Sequence, residues 1–248
     1  MAVVLFSTLF FKLCGIDHWK VMALIWAAIP IINGLVFCKV PIASLIEEGE
    51  TGMTLGELCR NKIFWILMLM MLCAGASEQA VSQWASTFAE KGLGVTKTIG
   101  DLAGPMAFAI LMGSARAFYG KFGDKINLDQ FMIGSSVLCI LSYLTISLSA
   151  SPLIALIGCS ICGLSVGIMW PGTFSKASAS LRNGGTALFA LLALAGDAGC
   201  SGGPTLVGFV SDIASENLKM GILAGVIFPV LLVVSILLLR TVRENRKD

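Results

Sequence analysis

Two carboxylates stand where a charge is expensive. Glu78 and Asp197 are the only acidic residues well inside long apolar runs, and an ionised side chain in hydrocarbon costs at least about 2.5 kcal/mol. Acids kept in such places usually face a cavity and act as proton or cation sites. The other reading is a polar residue satisfied by a neighbouring helix or, for Glu78, by an outward-facing vestibule. Close to Glu78 stand Gln79 and Gln83, spaced so that both lie on one helix face, with Ser86, Thr87 and Glu90 beyond them. Each amide both donates and accepts, which suits the vicinal hydroxyls of a sugar, and Trp84 offers a flat apolar face to the C–H side of a pyranose. Amides inside apolar helices also bond helix to helix, and that reading stays open. A further cluster joins Asp197 and Ser201 to glycines 196, 199, 202 and 203 just before Pro204. It predicts a broken or kinked segment of the kind that gating uses.

Other chemistries find little support. The eight cysteines fall mostly in apolar runs. Cys159 and Cys162 form a CxxC, which elsewhere means zinc or redox work. Here it has no second pair and no nearby histidine, so packing is the expected role. His18, the sole histidine, lies beside Asp17 and Lys20 in an expected loop. No metal site, cofactor or catalytic set is expected, since the chain has no nucleophile elbow and no P-loop; it does not read as an enzyme. A net charge of +2 without basic runs gives no reason to expect nucleic acid.

The elements that must carry these residues are membrane helices. Only 13% of residues are charged, against about 25% in soluble domains, and the mean hydropathy is +0.89. No charge occurs from Gln130 to Ser175 or from Met220 to Leu239. About 20 apolar residues span a bilayer as a helix, and the runs lack the alternation of strands. The expected fold class is therefore all-α, a polytopic helix bundle. Seven spans are expected: Val21 to Cys38 with a kink at Pro30, Ile63 toward Phe88, Leu102 to Ala115, Gln130 to Ser149, Leu153 to Phe174, Gly184 to Val210, and Met220 to Leu239. The apolar stretch from Met1 to Phe11 would rise only about 16 Å, and it lacks the basic start and cleavage site of a signal peptide. The 27 glycines suit close helix packing.

Orientation follows from the basic residues. With the tail after Leu239 cytoplasmic, 12 of the 17 fall inside, including every arginine. The expectation is an integral, multi-pass protein of a bacterial-type inner membrane with a cytoplasmic C-terminus.

Three features together resemble the major facilitator superfamily. The polar stretch Lys39 to Lys62 precedes six spans, like the cytoplasmic linker between the two six-helix halves of those transporters. The run from Gly113 to Lys125 stands where the C-terminal half repeats the G-x-x-x-D-R-x-G-R loop; Gly120, Asp124 and Lys125 match it, with Asn127 in place of a glycine. Gly158, Gly163, Gly167, Pro171 and Gly172 resemble the small residues of the family's tenth helix. The run Glu78-Gln79-Ala-Val-Ser-Gln83-Trp84 is similar to the seventh helix of fucose-permease-like sugar transporters.

The resemblance implies three domains: residues 1–38 as part of helix five plus helix six, 39–62 as linker, and 63–248 as a C-terminal six-helix bundle. It implies transmembrane transport, a sugar or similar solute moved by symport with a proton or cation, and an N-terminal half as partner. Glu78, Gln79, Gln83 and Trp84 would bind the solute, and Glu78 and Asp197 would couple the ion. Arg116, Gly120, Asp124 and Lys125 would serve the cytoplasmic gate, with Arg116 marking the inner membrane surface. Two rivals stand beside this reading: a transport-incompetent half-protein or structural subunit, and an exporter of drugs or organic anions in the same superfamily.

Overall fold

The computed structural model describes residues 2–41, 52–93, 96 and 102–245. Among them every regular element is helical, and six helices are long and apolar enough to cross a membrane. The first lies in an N-terminal hairpin of α1 (Ala2–Cys14) and α2 (Trp19–Phe37). The loop expected around Lys12 to Lys20 shrinks to Gly15, at φ 85°, and a short 3-10 turn, Ile16–His18. Trp26 Nε1 donates to Ser7 Oγ at 3.0 Å across the hairpin, whose apolar side chains are otherwise largely exposed. That surface suits lipid rather than water.

Within the expected linker, Glu47, Glu48 and Glu50 lie outside the described residues. Its end forms α3 (Leu55–Arg60), where Thr54 and Glu57 cap each other's backbone. The Met53 N–H donates to the Asn183 carbonyl at 2.8 Å, which pins this segment to the turn that precedes the helix from Gly185.

The bundle proper starts with α4 (Lys62–Ser82) and α5 (Ala85–Leu93), parted by a turn at Gln83 and Trp84. A π-turn, Leu102–Met106, leads into α6 (Ala107–Phe122). This is the expected span from Leu102, but it runs on past Ala115 through Arg116 and Lys121, and it is not among the six apolar helices. Next come α7 (Leu128–Leu148), then α8 (Pro152–Val166) and α9 (Met169–Ser180), which make one span with a turn at Gly167 and Ile168. The last are α10 (Gly185–Ile213), α11 (Leu218–Ala224) and α12 (Ile227–Glu244).

Helix α10 corrects an expectation. The glycine cluster does not break it: its 29 residues form one continuous helix through Pro204. The glycines instead form a seam against α4. A Cβ added to Gly203 would lie 2.6 Å from the Ala76 carbonyl oxygen, and one on Gly199 would overlap the Leu72 carbonyl. Gly75 answers from α4, pressed on the Gly196 carbonyl. Small residues let two backbones approach this closely in lipid, where packing rather than water drives association.

Across the seam lies the core, built on Leu67, Met70, Met71, Tyr143, Leu188 and Leu192. Tyr143 satisfies its hydroxyl by donating to the Ser77 carbonyl at 2.8 Å, which ties α7 to α4 one residue before Glu78. Cys139, Cys159 and Cys162 are buried in the same core as free thiols.

Candidate functional site

Glu78 sits near the end of α4, on the turn just after the glycine seam. Its carboxylate meets a cation: Arg116 Nη2 lies 3.4 Å from Glu78 Oε2. The same guanidinium donates through Nε to the Gly167 carbonyl at 3.2 Å. That carbonyl belongs to the turn between α8 and α9, where a helix ladder is interrupted and an acceptor is freed. Gly167 permits the approach, because a Cβ there would stand 2.8 Å from the Ala115 Cβ. Thus α4, α6 and the α8/α9 turn converge on one guanidinium. The Glu78 side chain is 14% exposed and that of Arg116 44%, so the pair looks onto open space from one side.

Arg116 therefore takes a place the sequence did not suggest. It holds Glu78 and a helix joint. The other residues of its motif stay apart from it. Gly120 lies within α6 with open space where a side chain would be, and Asp124 and Lys125 are exposed in the 3-10 turn Gly123–Lys125. Asp124 neither pairs with a base nor caps a helix among the described residues. Asn127 caps α7 instead, its Oδ1 accepting the Gln130 N–H at 3.1 Å.

Beside the ion pair an open groove of about 690 Å³ runs along α10, lined by Gln83, Trp84, Ser201, Pro204, Thr205 and Asp212 among others. Trp84 is fixed in its wall: Nε1 donates to the Pro204 carbonyl at 3.3 Å, and the ring packs over Gly208. Gln83 is exposed to the groove. Gln79 is half-buried and accepts from Ser82 Oγ at 3.1 Å, so the two amides do not act alike. Asp197 is exposed on α10 one turn before Ser201, with no charged partner among the described residues. Cys200, in the groove wall, lies within electrostatic reach of both Glu78 and Asp197. Gln83 and Trp84 thus share the groove, and Cys200 in its wall connects it with Glu78 and Asp197.

A second ion pair escaped sequence reading. Lys176, 3% exposed, pairs with Asp129, 33% exposed, closing α9 against the start of α7. Its signal was present, because these two residues bound the charge-free stretch on either side. Two spans joined at Ser151-Pro152 bring both ends of that stretch to the same face.

The family model described as Major Facilitator Superfamily matches residues 1–204. No curated protein and no solved structure matches the chain. The match takes in residues 39–62, the Glu78–Arg116 pair and α10 as far as Pro204, on a bundle whose described elements are helical, six of them long and apolar enough to cross a membrane; the chain is an integral, multi-pass membrane protein and belongs to the major facilitator superfamily of transporters.

Proposed function

We propose that the chain is the C-terminal part of a secondary transporter that moves a sugar or similar hydroxylated solute together with a proton or cation. The observation that carries this reading is the Glu78–Arg116 pair on the Gly167 carbonyl, beside a groove bearing an amide, an indole and two hydroxyls. The exposed Gln83 amide can donate to and accept from sugar hydroxyls, the Ser201 and Thr205 oxygens, whose protons go to the Asp197 and Ser201 carbonyls, can accept, and Trp84 supplies the apolar wall. In this mechanism a proton or cation on Glu78 cancels its attraction for Arg116. The guanidinium is then free to leave the α8/α9 turn, which links ion occupancy to the movement of one helix bundle against another. Asp197 is a second coupling candidate. The fucose-permease-like subfamily fits the amide and tryptophan grouping, and the basic residues favour an inner-membrane protein with its C-terminus in the cytoplasm.

A second bundle completes the pathway in this reading. Gln83, Asp197, Ser201 and Thr205 are exposed along one side of a bundle that otherwise shows lipid apolar side chains. Polar groups in lipid need a cavity or a partner. Residues 63–248 then form one half, 39–62 the linker, and 1–38 the end of the other half.

Labelled-sugar uptake tests the reading in cells carrying the complete transporter. Uptake that survives ATP depletion and collapses with the ion gradient supports it. Uptake indifferent to the gradient overturns the coupling, and transport of organic anions or drugs in place of sugars overturns the solute class.

A further inference from the structure

The end of the bundle opposite the groove holds a different kind of cavity. It has a volume of about 330 Å³ and lies between the start of α7 and the end of α12, lined by Asn127, Asp129, Gln130, Arg240, Arg243 and Glu244 above an Ile133 floor. Its two arginines and two carboxylates are not paired with one another throughout. Asp129 is held by Lys176, and Arg240 Nε bonds Glu244 Oε1 at 2.9 Å. Arg243, half-buried, has no acid partner among the described residues. With Lys176, which holds Asp129 from outside the lining, three cations stand against two carboxylates, and Arg243 is the one left without an acid among the described residues.

The depth of the cavity narrows what fills it. Arg240 is the first charge after the bare run Met220 to Leu239, and Asp129 is the last before the bare run that opens at Gln130. Both helices therefore leave the hydrocarbon at this level, where lipid phosphates lie. A guanidinium grips phosphate oxygens through two parallel N–H donors. We propose that this cavity binds the phosphate of an anionic membrane phospholipid, with Arg243 as the main contact and Arg240 at its side. The uncharged head of such a lipid, a glycerol for instance, meets Asn127 and Gln130, and its acyl chains run down the apolar flank of α12. The site is independent of the transport reading.

The test is thermal unfolding of the full chain in neutral detergent, titrated with phosphatidylglycerol, phosphatidylcholine or soluble glycerol phosphate. Phosphatidylglycerol is expected to stabilise at a concentration about fivefold below that of phosphatidylcholine, the effect of one well-placed arginine. Arg243→Gln abolishes that preference and Arg243→Lys keeps part of it. Arg182→Gln, which removes an exposed arginine outside the cavity, leaves it intact. An undiminished preference in Arg243→Gln overturns the proposal, as does an equal loss in Arg182→Gln, which would indicate diffuse surface charge. Stabilisation by glycerol phosphate at the same phosphate concentration would assign the cavity to a soluble anion and overturn the lipid.

Discussion

Arg116 holds a carboxylate from one helix and a carbonyl from a turn in another, and the two respond differently to substitution. Glu78→Gln removes the charge but leaves the Gly167 carbonyl in place. Breaking a fully buried pair costs about 3–5 kcal/mol, but Arg116 is partly exposed, so the loss of stability should be nearer about 1 kcal/mol. The transport defect should be far larger and selective. Gradient-driven accumulation is lost in Glu78→Gln, while exchange of labelled for unlabelled solute persists, as read in proteoliposomes of the complete transporter. Wild-type accumulation by the variant would show that Glu78 carries no ion. The Lys176–Asp129 pair makes a contrasting case, since Lys176 is almost wholly buried. Asp129→Asn strands that ammonium and should destabilise by about 2–3 kcal/mol. The double variant Asp129→Leu with Lys176→Met should unfold at a higher temperature than the single one. At this scale the sequence disclosed costly charges but not their partners: Glu78 and Arg116 lie 38 positions apart, and only folding shows which helices meet.

Among the elements, the charge-free runs made the spans legible, because nothing but a bilayer accommodates them. In α10 the expected span is present but the expected break is not, since a glycine cluster before a proline signals a break by local propensity. The seam with α4 overrides that preference, and no local rule shows which carbonyl a glycine will touch. Two neighbouring glycines separate the explanations. Gly203→Ala puts a methyl against the Ala76 carbonyl, whereas Gly202→Ala meets nothing within 4 Å. Overpacking of this kind costs about 1–3 kcal/mol, so only Gly203→Ala should lower the unfolding temperature in detergent. A helix broken at the cluster would make the two variants alike. At α3 the effect is one of pH. Glu57 accepts from the Thr54 N–H at 2.7 Å and its hydroxyl at 3.0 Å, and these bonds hold its carboxyl below the usual 4.5. A depressed folded value means the cap is fully stabilising above 4.5 and fades as pH falls through the lower folded value. Protection of the Leu55–Arg60 amides, taken against the intrinsic exchange rate at each pH, should therefore fall below that range, and Glu57→Gln should abolish that change in protection.

For the whole molecule, the decisive property is that its surface has two solvents. Leu141, Leu148 and Ile157 face outward as lipid-facing side chains do, while Gln83, Ser201 and Thr205 line an open polar groove. Ser201 and Thr205 donate to the Asp197 and Ser201 carbonyls, but a bundle standing alone in lipid would leave the exposed Gln83 amide unsatisfied, so the groove belongs either to water or to a second bundle that encloses water with it. Labelling distinguishes a pathway from a dry contact. In the complete transporter, Thr205→Cys should react with a membrane-impermeant maleimide, and Leu141→Cys, set in the bilayer, should not. Cys200 lines the same groove, so it is first replaced by serine to leave the new thiol as the only one there. Saturating solute should then protect Thr205→Cys, because the substrate and the reagent compete for one volume. Labelling that solute does not slow would place the groove outside the transport route, and Glu78 and Arg116 would have to act on a solute bound elsewhere.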